Sequence, residues 1–147
     1  MRFKEGLALK GKRYVERCLW DYKANIGKLA QLKSELADVS SVRGHSYEAH
    51  VPSSGSTDPV ADVVNKVLAI ERRIRRTEND IEPVRRLEAD IAAGCYRDRY
   101  VREIFKLRYI EHWSVDYILG ELSVSSSTYW RGKERLIETA RKYFALD

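Results

Sequence analysis

Apolar residues recur at steps of three and four positions over two long stretches of the chain, residues 12–37 and 59–93. This spacing places the apolar side chains along one narrow stripe of a helix, so each stretch predicts one long amphipathic helix. Thr77 is the polar residue that breaks the second stripe. Pro83 also lies in the second stretch, and its ring is expected to kink or interrupt the helix because proline lacks the N–H donor.

A polar segment separates the two predicted helices. Residues 38–57 have no apolar periodicity and contain six serines, two glycines, two histidines and a proline. This composition buries little apolar surface, so we expect a flexible Ser/Gly linker. Asp58 and Pro59 follow it, and both residue types are favoured at the start of a helix. Residues 1–93 are therefore expected to form a long helical hairpin.

The apolar stripes of this hairpin are narrow, and a narrow stripe rarely stabilises an isolated monomer. Two arrangements would cover it: a second copy of the chain, or the C-terminal helices of the same chain. We expect the first arrangement and hence a homo-oligomer formed through residues of the two stripes. These residues are Leu19, Ile26, Leu29, Leu36, Val67, Ile74 and Ile81.

Residues 94–147 have a different pattern, with three short amphipathic segments. Gly94 is of the residue type that most often ends a helix, and it predicts the end of the second long helix. Beyond it we expect short helices over residues 97–110, 114–122 and 126–144. The predicted fold class is all-α, with the long hairpin in residues 1–93 and a C-terminal tri-helical module in residues 94–147.

The connection between the last two short helices is typical of a helix-turn-helix. Ser114 and Ser125 are suited to cap the two helices. Val124 lies in the turn, where an apolar side chain fills the angle between the helices. The expected inward residues are Tyr117, Ile118 and Leu122 on the first helix, and Tyr129, Leu136 or Ile137, and Ala140 on the second.

The outward face of the last helix carries candidate contacts to DNA near its N-terminus. Small hydroxyl side chains permit close approach to bases, and the guanidinium of Arg131 matches the O6 and N7 acceptors of guanine. A helix N-terminus itself favours phosphate, and basic residues further along would contact the DNA backbone. The predicted DNA-binding residues are Ser125, Ser126, Ser127, Thr128, Trp130, Arg131, Lys133 and Arg135.

The charge of the chain favours an anionic partner. The net charge is +5, and residues 1–43 carry 10 Lys and Arg against 5 Asp and Glu, while residues 94–147 carry 10 against 8. A basic excess at the two ends is compatible with nucleic acid binding. The N-terminal residues lack the continuous apolar stretch of a secretory signal, so we expect a protein of the bacterial cytoplasm without membrane contact.

Neither catalysis nor metal binding is expected from the sequence. The chain has no Gly-rich phosphate loop, no GxSxG turn and no HExxH motif, so we do not expect an enzyme. Cys18 and Cys95 lack the CxxC spacing of a zinc site, and two cysteines so far apart do not make a disulfide framework. We expect both thiols to be reduced packing residues, and we expect no metal ion or cofactor.

The run LRYIEHWSVDYILGELSVSSSTYWRGKERL, residues 107–136, resembles the helix-turn-helix of sigma factor region 4. The order of a long helix, a polar linker, a second long helix and this module resembles bacteriophage late-gene transcriptional regulators of the ArpU and RinA type. This resemblance implies base contacts from Ser126, Ser127 and Arg131, and phosphate contacts from Thr128, Trp130 and Lys133.

The residues and the resemblance together predict a sequence-specific DNA-binding transcriptional regulator of phage genes. Its expected partners are double-stranded DNA, a second copy of the chain, and RNA polymerase. One alternative is a phage terminase small subunit, which would recognise DNA for packaging as a ring of eight or more subunits. The other is a module that contacts RNA polymerase and scarcely binds DNA by itself.

Overall fold

A computed structural model of the chain describes the backbone of residues 2–49 and 59–144, and the side chains of residues 11–41 and 59–144. Within these ranges the chain is all-helical and contains no strand, which confirms the predicted fold class. The helices are α1 (Arg2–Trp20), α2 (Tyr22–Ala49), α3 (Pro59–Ala92), α4 (Arg99–Ile104), a π-helix (Phe105–Ile110), α5 (Val115–Leu122) and α6 (Ser126–Phe144).

The first predicted helix is divided in two and is longer than expected. Asp21 separates α1 from α2, although its N–H still donates to the carbonyl oxygen of Arg17 at 2.8 Å. Helix α2 then continues to Ala49, so the backbone of residues 38–49, expected in a flexible linker, is helical. The next proline after Asp21 is Pro52, and serine and glycine weaken a helix without ending it. The rest of the expected linker, residues 50–57, lies outside the described residues.

Helix α3 runs from Pro59 to Ala92 as one element with Pro83 inside it. Pro83 is buried, so apolar packing offsets the hydrogen bond that its ring removes. After the helix, Gly94 has a left-handed φ of 81°. Its N–H donates to the carbonyl oxygen of Ile91 at 3.1 Å, and the N–H of Cys95 donates to the carbonyl oxygen of Asp90 at 3.0 Å. This is a Schellman motif, and it confirms the predicted helix end at Gly94.

The described residues divide into two compact units. Unit 1 comprises Met1–Ala24 and Asp80–Asp147, and unit 2 comprises Asn25–Asn79. In unit 1, α1 packs against α6 and the π-helix, although the sequence placed these elements in separate domains divided at residues 93 and 94. The units therefore do not follow the predicted domain limits, because the N-terminal helix packs with the C-terminal ones.

The core of unit 1 draws on every helix of the unit. The largest side chains that are fully buried in it are Val15, Leu19, Ile81, Val84, Leu87, Ile104, Tyr109, Ile118, Tyr129 and Leu136. The stripe of α1 is thus covered within the chain, as in the second arrangement considered above. Leu19 and Ile81, expected at an interface between copies, are core residues of unit 1 in this conformation.

Unit 2 has a smaller core and leaves part of its apolar surface open. Leu29, Leu32 and Ile70 are buried in it. Thr77 is buried as well, and its hydroxyl donates to the carbonyl oxygen of Arg73 at 2.8 Å, which satisfies the polar group that breaks the stripe. Of the residues expected at an interface, Ile26 is 40% exposed, and the others outside the core are half-buried, namely Leu36, Val67 and Ile74.

The described helices include none with a segment long and apolar enough to cross a lipid bilayer. Both cysteines are unbridged: Cys18 is buried, as expected of a packing residue, whereas Cys95 is exposed, so that prediction was wrong for Cys95. Burial raises the pKa of the Cys18 thiol to about 12. That thiol is therefore protonated at neutral pH and behaves as an apolar packing group.

Candidate nucleic-acid interface

The two serines predicted as capping residues cap the N-termini of α5 and α6. Ser114 is extended, and its Oγ accepts the N–H of Tyr117 at 3.3 Å, which confirms it as the N-cap of α5. Ser125 Oγ accepts the N–H of Thr128 at 3.3 Å and lies 3.0 Å from the Thr128 hydroxyl, which confirms it as the cap of α6. Ser125 and Thr128 therefore fix the start of α6.

The inward face of α5 is narrower than the sequence analysis expected. Ile118 and Leu122 are buried as predicted, whereas Tyr117 is 59% exposed. The prediction for Tyr117 was wrong because this ring packs edge-on against Trp113, with ring centroids 4.6 Å apart, outside the core. Ile118 and Leu122, four positions apart, form the buried stripe, and position 117 lies a quarter turn away from it.

The turn from α5 to α6 is short and well defined. Ser123 has a left-handed φ of 54°, its N–H donates to the carbonyl oxygen of Gly120, and the N–H of Val124 donates to that of Leu119. These two bonds complete a second Schellman motif, which ends α5, and α6 begins only three residues later. Val124 is half-buried, as a residue that partly fills the angle between two helices would be.

The first turn of α6 presents an open polar surface. Ser126, Ser127 and Arg131 are exposed, and Trp130 is 50% exposed. The N–H groups of Ser126 and Ser127 belong to the first turn, where a helix has no internal acceptors for them. The end of the helix therefore carries a partial positive charge next to small side chains and one exposed guanidinium.

The Trp130 ring is held in place from two sides. The Nζ atom of Lys133 lies 4.7 Å from the centre of this ring, and the Tyr129 ring packs edge-on against it at 5.3 Å. Tyr129 is itself buried in the core of unit 1, as predicted. Trp130 thus has a fixed aromatic face at the same end of α6 as Ser126 and Ser127.

The two basic residues predicted to contact DNA beyond Arg131 already have ion-pair partners within the chain. Lys133 Nζ lies 2.7 Å from Glu16 Oε1, and the lysine side chain is only 18% exposed. Arg135 donates to both carboxylate oxygens of Asp98, at 2.6 and 3.3 Å. These bonds raise the pKa of Arg135 and lower the pKa of Asp98. Lys133 and Arg135 therefore join α6 to α1 and to the start of α4.

Asp98 also caps α4. Its Oδ1 accepts the N–H of Tyr100 at 3.0 Å, and its backbone is extended as at other N-caps. One carboxylate thus satisfies a helix end and an arginine of another helix. The sequence analysis missed this residue, and its only local signal is an Asp placed just before an amphipathic stretch.

Gly132 is another residue that the sequence analysis missed. It is buried, and a Cβ atom built on it would lie 2.8 Å from Tyr100 Cβ and 2.9 Å from Ile104 Cδ1. Helices α4 and α6 therefore approach each other at a distance that permits no side chain at position 132. A glycine in the middle of a strongly helical segment is the signal that marks such a close approach.

Ion pairs also hold α1 against α6. Lys12 pairs with Glu134 and, at 2.9 Å, with Glu138. Its hydrogen bonds with Glu134 and Glu138 raise the pKa of Lys12, and the bond from Lys12 lowers the pKa of Glu138. No spacing rule connects residues so far apart in the chain, so the sequence analysis could not find this contact.

The part of the chain that the structure describes contains no group of three or more His, Cys, Asp or Glu side chains placed to hold a metal ion.

A family model described as "Protein of unknown function (DUF1492)" matches residues 40–141, more than half of the chain. The match includes all of α3, α4, the π-helix and α5, and α6 up to Arg141. No curated protein and no solved structure matches the chain.

Proposed function

The chain belongs to the DUF1492 family, and we propose that it is a sequence-specific DNA-binding protein that regulates phage transcription. The observation that carries this proposal is the exposed first turn of α6, which follows α5 after a tight, doubly hydrogen-bonded turn. In a helix-turn-helix, the second helix places its N-terminal turn in the major groove of DNA. Helix α6 would be this recognition helix.

The chemistry of the turn suits the major groove. Ser126 and Ser127 are small enough to allow the helix end close to the bases, and their hydroxyls can donate and accept hydrogen bonds. Arg131 lies about one turn further along, is exposed, and forms no ion pair with any described residue. Its guanidinium is therefore available for a bidentate bond to guanine.

Residues that hold α6 make the site rigid before DNA binds. Gly132 permits contact with α4, and Lys133 and Arg135 form ion pairs with Glu16 and Asp98. A preformed site loses less conformational entropy on binding than a mobile one. We therefore assign Lys133 and Arg135 to the support of the recognition helix.

Regulation of phage genes is supported by the resemblance of residues 107–136 to sigma factor region 4 and of the whole order of elements to ArpU- and RinA-type regulators. Region 4 modules contact RNA polymerase as well as DNA, so polymerase is a second proposed partner. Neither partner follows from the family description, which names no function.

We also propose that unit 2 joins two copies of the chain. Ile26 on α2 and Leu68 on α3 are 40% and 43% exposed, although both are large and apolar. Ile26 belongs to the narrow apolar stripe of α2, and a second copy that packs on this stripe would cover it. Two linked copies would bind two half-sites, and the second contact would gain from the high effective concentration set by the first.

The first test is a selection of duplexes from a random library by the purified chain, followed by binding of Arg131→Ala to the selected sequence. We expect this variant to lose about 1–3 kcal/mol on the selected duplex and little on random DNA. Arg102→Ala is the matched control, because Arg102 is an exposed arginine on α4.

Other outcomes would redirect the assignment. An equal loss on selected and random duplexes would exclude Arg131 from base recognition. A ring of eight or more subunits in light scattering would favour DNA packaging over regulation. A third outcome is that the chain enriches no duplex at low salt and still captures RNA polymerase after nuclease treatment. That result would favour a module that binds polymerase and scarcely binds DNA.

A further inference from the structure

An open groove of about 350 Å³ lies between α1 and the π-helix, within unit 1. Arg13, Arg17, Glu16 and Trp20 line it from α1, and Arg108 and Tyr109 line it from the π-helix. We call it the arginine groove. Three guanidinium groups and one carboxylate therefore surround a single surface depression.

The carboxylate in the arginine groove is already neutralised. Glu16 pairs with Lys133 at 2.7 Å and accepts the hydroxyl of Tyr109 at 3.2 Å. Arg13 and Arg17 are exposed, and neither forms an ion pair with a described residue. The groove thus carries a net positive charge that its own walls do not balance.

The third guanidinium is fixed in position. Arg108 donates to the carbonyl oxygen of Trp113 at 2.8 Å and lies 4.7 Å from the centre of the Trp20 ring. Trp20 in turn stacks on His112, with ring centroids 4.1 Å apart. Arg108 and Tyr109 belong to a π-helix, a rare conformation that occurs frequently at functional sites. This wall of the groove is preorganised for an anionic ligand.

The arginine groove is connected to the exposed end of α6 by direct contacts. Lys12 pairs with Glu134 and Glu138, and Glu16, one turn later on α1, pairs with Lys133. Glu16, which lines the groove, thus pairs with a residue about two turns from the start of α6. Lys133 also covers the ring of Trp130, which makes the surface from the groove to Trp130 continuous.

We infer that the arginine groove binds the sugar-phosphate backbone of the duplex whose bases α6 reads. This inference rests on the proposed function and adds α1 to the DNA-binding surface. Arg13 and Arg17 lie four residues, or about 6 Å, apart along the helix. Guanidinium groups pair with phosphate oxygens in a bidentate manner. Contacts of this kind position a protein on DNA and carry no sequence information.

The test compares two double variants of the full chain, Arg13→Gln with Arg17→Gln, and Arg85→Gln with Arg86→Gln. The second pair removes the same charge from exposed positions on α3 in the same unit. Binding of each protein to the selected duplex and to random DNA is measured over a range of salt concentrations. Circular dichroism and thermal unfolding establish that each variant keeps its fold.

We expect the α1 double variant to reduce the slope of log K against log salt by about 1.8, because each phosphate contact contributes about 0.9. Its affinity at 0.1 M salt should fall on the order of tenfold or more, equally on selected and random DNA. The α3 double variant should leave the slope unchanged.

Three results would overturn the inference. An unchanged slope in the α1 variant, with normal DNA binding by the unmodified chain, would remove the arginine groove from the interface and leave the proposed function intact. Equal changes in both double variants would assign the effect to net charge. If the unmodified chain bound no duplex, the proposed function would fail first and the arginine groove would have no DNA to bind.

Discussion

At the scale of single residues, Gly132 decides how closely α6 can pack against α4. A Cβ at this position would lie under 3.0 Å from two side-chain atoms of α4, whereas one at Gly120 on α5 would meet nothing within 4 Å. Alanine is more favourable than glycine inside a helix by about 1 kcal/mol. Whether a Gly→Ala substitution raises or lowers the free energy of unfolding therefore depends on the space at that position.

Gly132→Ala should lower the free energy of unfolding by about 1–2 kcal/mol, because the overlap with Tyr100 and Ile104 exceeds the gain in helix propensity. Gly120→Ala should leave it unchanged or raise it by up to about 1 kcal/mol. Urea unfolding followed by circular dichroism measures both values. Equal stability of the two variants would mean that α4 and α6 do not pack closely at Gly132.

At the scale of elements, one carboxylate joins the start of α4 to the middle of α6. The hydrogen bond from Arg135 and the N–H of Tyr100 lower the pKa of Asp98. A lowered pKa in the folded state contributes stability above the unfolded pKa of about 3.9, and this contribution is lost as pH falls through the folded value.

Asp98→Asn should therefore destabilise the chain at pH 7 by about 0.5–1 kcal/mol, since the pair is partly exposed and asparagine can still cap α4. The difference from the unmodified chain should disappear as the pH is lowered from 5 to below the folded pKa. Thermal unfolding of both proteins over this pH range measures the difference in stability. Asp38→Asn, at an exposed position on α2, is the control. A difference that persists at the lowest pH would assign the effect to the cap alone.

The elements that sequence analysis predicted well are those with local signals. Ser114, Ser125 and Gly94 each act on backbone groups within five residues, so their effect can be read from neighbouring positions. The break at Asp21 keeps a helical hydrogen bond across it, and no proline or glycine marks it. Tyr117 was assigned inward because apolar type alone does not distinguish a core ring from one that packs against another exposed aromatic.

Long-range packing explains most of what the sequence analysis missed at the candidate site. The outward positions of α6 followed from helical periodicity, and Ser126, Ser127 and Arg131 are exposed as expected. From the sequence, Lys133 was expected to contact DNA as well, yet it pairs with Glu16 on α1, at the other end of the sequence. A single sequence contains the charges of both residues and no indication that they meet.

At the scale of the whole molecule, the proposed pairing of two copies through unit 2 can be tested at Ile26. Ile26→Asp places a charge on an exposed position of α2, so it should leave the fold intact and shift the molar mass toward the 17.1 kDa of one chain. Ala30→Asp, one turn further on the same helix and also exposed, is the matched control. Light scattering and circular dichroism measure the two effects.

Retention of the oligomeric mass in Ile26→Asp, with normal helicity, would exclude this face as the interface. A comparison with Leu29→Asp is informative because Leu29 is buried within unit 2. That variant should lose helicity as well as mass, since it places an unpaired charge in a core. A variant that lowers the molar mass of the oligomer and keeps its helicity therefore identifies an interface residue.

The pairing of α1 with α6 also determines when the protein can complete its fold during synthesis. Lys12 and Glu134 are separated by 122 positions, and a ribosome adds about 5–20 residues per second. The apolar stripe of α1 is therefore made on the order of ten seconds before the helix that covers it. During this interval α6 is absent and cannot pack against α1, the helix of Val15 and Leu19. The nascent chain therefore exposes apolar surface to which chaperones can bind until translation ends.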